Sequence, residues 1–377
     1  MDELRTVYGR YVKPGLARLM ETLRLDKNYE RGVGDNLYYR NPNGEEIGVL
    51  DLAGGMGASL FGHNNTELSE EKRKCIDEEV PMNAQASARE DAGRLAEMLS
   101  RLYPGKEPRY SIFTNSGTEA VEGALKHAEM NRMKRIQALW KEIFRNHNEV
   151  KEYCRLHSNV RLPREYAEKG IELLLGEILD QGRRLMMLLP VVISTERSFH
   201  GKTTSAVRIT GNPMYREAFM RLSAIDARFI EYNSVKDLEK TIKESYETFY
   251  KIEISNGKLK LVEIPFLNIC AFIMEPVQGE GGVHVATREF MAGVEKLKKK
   301  YGFEWIMDEI QTGMGRTGKL FAVEHYNINP DSVDYVLLSK ALGGGMAKIG
   351  AAMVRRSIHD PNFGILHTST FAEDSES

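Results

Sequence analysis

The stretch Tyr335–Gly345, YVLLSKALGGG, decides the reading of the chain. A short apolar run ends in Ser339-Lys340, and after Ala-Leu three glycines follow. A lysine is costly to bury. Its place at the mouth of a hydrophobic strand therefore asks for a chemical reason.

Six further runs resemble this one: RYSIFT (109–114), LPVVIST (189–195), RFIEYN (228–233), ICAFIMEP (269–276), EWIMDE (304–309) and IGAAMV (349–354). Most show little polar alternation, the pattern of strands buried on both faces. They predict an α/β fold with a mainly parallel sheet covered by helices. Such sheets bind ligands outside the carboxyl ends of their strands. The text after these runs is consistently polar or glycine-rich. Asn115-Ser-Gly-Thr-Glu119 follows the first, and Glu196-Arg-Ser-Phe-His-Gly201 the second. Glu275-Pro-Val-Gln-Gly-Glu-Gly-Gly282, Asp308-Glu-Ile-Gln311 and Lys340 end the fourth, fifth and sixth. Any α/β loop is rich in such residues, but five ends of this kind together point to one site.

Composition narrows the class. At 42% hydrophobic and 28% charged, the 377 residues are those of a folded globular protein with a sizeable core. A formal net charge of −2 gives no electrostatic footprint for nucleic acid or an anionic membrane. Cys75, Cys154 and Cys270 form no CxxC, so neither a disulfide framework nor a zinc site is indicated. His63, His284 and His367 lack ligand spacing, so no metal is expected. The N-terminus is charged and no apolar run approaches a membrane span. The expectation is a cytoplasmic protein.

Residues 1–30 carry helical periodicity. Residues 37–52 read as a hairpin about Asn41-Pro-Asn-Gly44, 53–65 as a glycine-rich loop, and 88–102 as a helix. Residues 129–188 are charged and helical with no strand signal. They exceed what a crossover needs, and are read as a helical insertion.

Ser116 and Glu119 match the S-x-x-E capping box, with Ala120, Val121, Ala124, Leu125 and Ala128 as a core-facing stripe behind them. A glycine beside such a cap lets backbone N–H groups approach an anion, phosphate above all, although alone the motif is more simply a helix cap. GMGRTG (313–318) fits G-x-G-x-x-G but opens no clear helix and comes late in the sheet, so loop glycines are the better reading. Asp308 can pair with a buried cation or a ring N–H, or be a surface carboxylate. Phe199-His200 could stack on a flat ligand, or be a core aromatic and a loop histidine. A partly desolvated Lys340 would have its pKa lowered, and a neutral amine condenses with a carbonyl to a Schiff base. Pyridoxal phosphate needs all three: an amine for its aldehyde, a helix start for its phosphate and a carboxylate for its pyridine nitrogen.

NSGTEA, FHGKT, EPVQGEGG, DEIQTGMGRTGKLFA, LSKALGGG and HTSTF occur in the order found in the class-III aminotransferases, which the chain resembles from about residue 8 to residue 371. The resemblance implies the type I pyridoxal-phosphate fold: a large domain with a seven-stranded, mostly parallel sheet and a small domain built from both chain ends. It divides the chain into residues 1–55 (small domain and connection), 56–354 (large domain, with 129–188 inserted) and 355–377. It implies that Lys340 carries the Schiff base and shuttles the proton, and that Asp308 partners the ring nitrogen. Gln311 would lie near the ring hydroxyl, with Ile310 and Phe199 on the two ring faces and His200 beside. Ser116, Gly117 and Thr118 would cradle the phosphate. Thr370 would reach the phosphate of a neighbouring subunit, which implies a homodimer with shared sites. Glu280 would shape the substrate pocket, with Glu275 a structural acid nearby. The partners implied are an amine or ω-amino acid donor and a keto acid or aldehyde acceptor.

Three departures stand out: the insertion, Ala372-Glu373 where the family has Gly-Gly after HTSTF, and an end at Ser377 where family members continue. They imply a truncated chain whose activity alone is open. Other chemistry on the same fold (aminomutase, racemase or decarboxylase) and a non-catalytic chain are the alternatives.

Overall fold

The structure is a computed structural model that describes residues 6–82, 86–375 and 377. It divides into two compact units. One comprises residues up to Val80 together with Gly343–Ala347, and the other most of the remaining chain.

The first unit holds short helices, Val7–Tyr11 and Pro14–Thr22, the helix Thr66–Asp77, and a three-stranded sheet of β1 (Arg31–Val33), β2 (Asn36–Arg40) and β3 (Glu46–Leu50). The helical reading of residues 1–30 is thus interrupted. Pro14 starts a new helix because its missing N–H costs nothing there, and residues 1–5 lie outside the described set. The expected hairpin is present: Asn41 Oδ1 accepts from the N–H groups of Asn43 and Glu45, and Gly44 takes φ +83°.

The second unit contains, in chain order, β4 (Arg109–Thr114), β5 (Val191–Thr195), β6 (Asp226–Ile230), β7 (Tyr246–Ser255), β8 (Lys258–Leu267), β9 (Ile269–Met274), β10 (Val277–Gln278), β11 (His284–Val285), β12 (Trp305–Asp308), β13 (Tyr335–Leu338) and β14 (Gly350–Arg355). The seven runs read from sequence form one sheet in the order β4-β14-β13-β12-β9-β5-β6. Only β14 runs against the others. β5, β9, β12 and β13 are buried at every residue, which is why their text shows no alternation.

The helix Gly117–Leu156 packs Val121, Ala124, Leu125 and Ala128 on Val192, Ile273, Ile306, Leu337 and Ala352 of the sheet. It then continues unbroken through residue 129. Forty residues make it about 60 Å long, far more than the strands span. Buried Arg132 donates to Asn268 Oδ1 and to the Leu188 carbonyl, and Arg135 to the carbonyls of Leu267 and Ile269. These guanidiniums fasten the helix at the amino end of β9, and everything after them lies beyond that edge.

There a second core forms. Ile136, Leu139, Ile143 and Val150 meet Leu174, Leu175, Ile178 and Leu185 of the helix Ile171–Met187, and Phe249, Ile252, Leu259 and Phe266 of the β7–β8 hairpin. The inserted helices are therefore one half of a module whose other half comes about 60 residues later, and the module sits at the amino edge of the sheet, not over its carboxyl edge. Side chains cover the free edge of β7. Gln181 accepts from the Tyr250 N–H, Asn146 pairs both groups of Ile252, and Arg184 donates to the Thr248 carbonyl. An open strand edge is an aggregation hazard, and this one is closed.

The helices of the module touch at Gly182, where a Cβ would overlap the Trp140 indole. Gly182→Ala should therefore destabilise the protein by about 1–3 kcal/mol. Gly176→Ala on the same helix, which meets nothing within 4 Å, should be neutral or stabilising through helix propensity. Urea denaturation of both variants checks this, and equal effects would contradict it.

No helix of the described residues is long and apolar enough to cross a membrane.

Candidate active site

The carboxyl ends of β4, β5, β9, β12 and β13 bring the polar loops together. Asp308 is the last residue of β12, 4% exposed. Its Oδ1 accepts from the Ile310 N–H at 3.1 Å, and its Oδ2 from His200 Nδ1 at 2.7 Å. An anion this buried needs such donors. The other nitrogen of His200, Nε2, is buried without a partner among the described residues.

The loop carrying His200 is fixed from below. Its N–H donates to Thr210 Oγ1, and the Phe199 N–H to Glu275 Oε2 at 3.0 Å. Glu275 is buried, and burial pushes its carboxyl up to about 7, against the pull of His200 and the Phe199 N–H. Glu275 thus holds the backbone of the Phe199 loop. Gly201, at φ +122°, lies so close to Thr118 that a Cβ would overlap the Thr118 hydroxyl, which joins this loop to the start of the long helix.

At that start Ser116 is the N-cap. Its Oγ accepts from the Glu119 N–H at 3.4 Å, while Glu119 reaches back to the N–H of Asn115 rather than of Ser116. The capping box is thus shifted by one residue. The N–H groups of Gly117 and Thr118 have no acceptor within the helix, and the positive end of the helix dipole lies there. A Cβ at Gly117 would come within 2.9 Å of Ile310 and 3.2 Å of Ser339. Only side-chain-free backbone lets the helix start approach Ile310 and Ser339 this closely.

Lys340 follows β13 at φ +44°, a left-handed conformation that lysine rarely takes. Burial lowers the pKa of its amine, and the charges of Asp308, Glu275 and Glu280 oppose the shift. A fraction of neutral amine is thereby favoured at a strand end, the state needed to attack a carbonyl. The glycines behind it answer to a different need. Gly344 and Gly345 take φ +60° and +82°, and Cβ atoms there would press on Leu68 and Ser59. The glycine run is read better as close packing of the first unit than as a turn around a ligand.

Gln311 lies against Gly279, where a Cβ would overlap its amide. Glu280 accepts from the Tyr215 hydroxyl. Ser116, Gly117, Thr118, Phe199, His200, Glu275, Glu280, Asp308, Ile310, Gln311 and Lys340 are thus gathered at one edge. Thr370 is placed elsewhere, in a cleft with Arg89, Tyr110 and Ser111 beside edge strand β4. The segment before it is tied to the long helix through Ser369 Oγ, which accepts from Asn115, and through His367, which pairs with Lys126. Glu373 stands at φ +66°, where a glycine would be free of strain, and Arg89 binds it and the Ala372 carbonyl. Sequence reading missed Tyr215 and Lys202. No spacing marks Tyr215, and Lys202 lies inside the quoted FHGKT without a role.

A mainly parallel sheet that gathers a half-buried lysine, a buried Asp–His pair and a helix start at its carboxyl edge is the architecture of fold type I. Residues 24–375 match the class-III aminotransferases, and the chain belongs to that family. It is 29% identical over 376 residues to the putrescine aminotransferase of Pectobacterium atrosepticum, covering 98% of this chain and 64% of that protein. Among solved structures it resembles the ornithine aminotransferase of Toxoplasma gondii (TM-score 0.63, 22% identity, 99% of this chain and 72% of that one). It also resembles the taurine:2-oxoglutarate aminotransferase of Bifidobacterium kashiwanohense, solved with pyridoxal phosphate and glutamate (TM-score 0.64, 20% identity, 93% and 65%). The chain thus spans less than two thirds of the length of the putrescine and taurine enzymes.

Proposed function

We propose that the chain forms the cofactor-binding part of a pyridoxal-phosphate-dependent aminotransferase. Its protein would move an amino group between an amine or ω-amino acid and a keto acid or aldehyde. The observation that carries this is Lys340: a half-buried amine in a left-handed conformation, in the field of Asp308 and within one cluster with the helix start at Gly117.

The residues fit the cofactor. The Gly117 and Thr118 N–H groups, which have no acceptor within the helix, would hold the phosphate, and Gly117 lets that helix start sit close against Ile310 and Ser339. Asp308 is acceptor-only and buried, so it would keep a proton on the pyridine nitrogen. His200 fixes Asp308 through its Nδ1. Phe199 and Ile310 would flank the ring, with Gln311 near its hydroxyl. Pyridoxal phosphate, when bound, supplies an aldehyde and a cationic ring that accepts electrons from the substrate carbon. Lys340 would hold the cofactor's aldehyde through its amine and, once free of it, would move the proton at the substrate carbon. Its lowered pKa suits a base. Glu280 shapes the substrate side, with Glu275 beneath.

The reading extends to a cytoplasmic homodimer in which Thr370 completes the neighbour's site. Its support is the exposed position of Thr370, the balanced charge and the free cysteines.

Loaded with pyridoxal phosphate and given putrescine as a first amine, the protein should change its visible spectrum with no acceptor present. 2-Oxoglutarate or pyruvate should then restore the spectrum, and steady-state rates should give the parallel lines of a ping-pong mechanism. Intersecting lines would contradict transamination by this route. Turnover of a single substrate without an acceptor would favour an aminomutase, racemase or decarboxylase.

A further inference from the structure

Tyr215 is joined to several parts of the site, and nothing in the proposed mechanism yet uses it. Its hydroxyl donates to Glu280 Oε1 at 2.7 Å. Its ring meets Phe199 edge-on, with centroids 5.8 Å apart and planes at 77°. Lys202 Nζ lies 4.1 Å from the centre of the same ring and 5.8 Å from that of Phe199.

The two ends of the Tyr215–Glu280 bond differ in stiffness. Tyr215 sits in the turn Pro213–Arg216, capped by Asn212 Oδ1. The next residue, Arg216, donates to the carbonyls of Thr210 and Gly211 and lies over Phe229. Glu280 is exposed and sits between Gly279 and Gly281-Gly282, the last at φ +117°. An exposed glutamate side chain has several rotamers open to it unless a partner holds it. Among the described residues, the Tyr215 hydroxyl is the group that holds it.

We propose that Tyr215 is a positioning residue. It pins the Glu280 carboxylate within range of Lys340 and ties it to Phe199, so that the substrate-side acid and the ring-stacking aromatic keep one geometry. The inference rests on the reading of this site as a pyridoxal-phosphate site.

The physical consequence is electrostatic. Asp308, Glu275 and Glu280 are the charges that support a proton at Lys340 against burial. Lys202 and Glu280 are the charged groups that face Tyr215. An untethered carboxylate turns to water, and its charge then counts for less at Lys340.

The test is the pH midpoint of the visible band of bound pyridoxal phosphate, measured on the full chain. Glu280→Gln should lower the midpoint by about half a unit, a roughly threefold change in proton affinity. Tyr215→Phe keeps the ring on Phe199 and under Lys202 and removes the hydroxyl alone. It should lower the midpoint in the same direction by no more than Glu280→Gln does, and it should add nothing in the Glu280→Gln background. Tyr215→Leu, which also removes the ring, should in addition loosen cofactor retention. Three results would overturn the inference: an unmoved or raised midpoint in Tyr215→Phe, an equal further shift on top of Glu280→Gln, or identical cofactor retention in Tyr215→Leu and Tyr215→Phe. Absence of the band in the unaltered protein would instead strike the cofactor reading beneath it.

Discussion

Lys340→Ala is expected to lose amino transfer by about 10⁴-fold, the upper end of what a positioned proton-transfer group contributes. It should bind pyridoxal phosphate only reversibly. The alanine variant keeps Asp308, His200 and the helix start, so phosphate and ring contacts remain available. What it lacks is the amine that joins the aldehyde and carries the proton. Folding should not suffer. The wild-type residue is a partly desolvated cation in a left-handed conformation, and alanine removes the desolvation cost while leaving the backbone conformation as it was. The measurement is half-reaction kinetics with an amine donor, with thermal melting alongside. Full-rate exchange in a folded Lys340→Ala protein would remove the lysine from the mechanism.

Asp308→Asn should cost about 10²- to 10³-fold in turnover, the range seen when a buried electrostatic partner of a developing charge is removed. The change keeps shape. The asparagine carbonyl can still accept from the Ile310 N–H, and its NH₂ can face His200 Nδ1 if the imidazole moves its proton to Nε2. The site therefore stays assembled while the anion is lost. The ring nitrogen then has no reason to remain protonated, and the ring is a weaker electron acceptor. Lys340 should still capture the cofactor, so the loss should fall on turnover and spare capture. Undiminished turnover would show that Asp308 serves the fold and not the ring.

The five inner strands β5, β9, β12, β13 and β14 were legible because a strand buried on both faces needs apolar residues at nearly every position, whereas edge strands β4 and β6 are only partly buried. The site was legible for the same topological reason. Parallel strands deliver their carboxyl ends to one edge, so Asn115–Thr118, Phe199–His200, Asp308 and Lys340 had to meet if the strands paired. Several features were not read. The β7–β8 hairpin went unseen although Asn256-Gly257, with φ +48° and +73°, is the two-residue turn that such hairpins favour. Its strands alternate around charged residues and were overshadowed by the longer apolar runs. The inserted helices could not be assigned a place from sequence alone, because their partner strands are remote in the chain. Tyr215 carries no periodicity, and its role depends on a turn whose direction only the folded chain sets. The glycines after Lys340 carry no signal in the sequence of what they pack against. In space they answer to Ser59 and Leu68.

The most direct measurement is the visible spectrum of the purified chain with pyridoxal phosphate, followed by borohydride reduction and peptide mass mapping. The account predicts a yellow band that reduction abolishes, with the reduced cofactor's mass fixed on the peptide containing Lys340 and on no other. A folded protein with no band, or a label spread over other lysines, would contradict it.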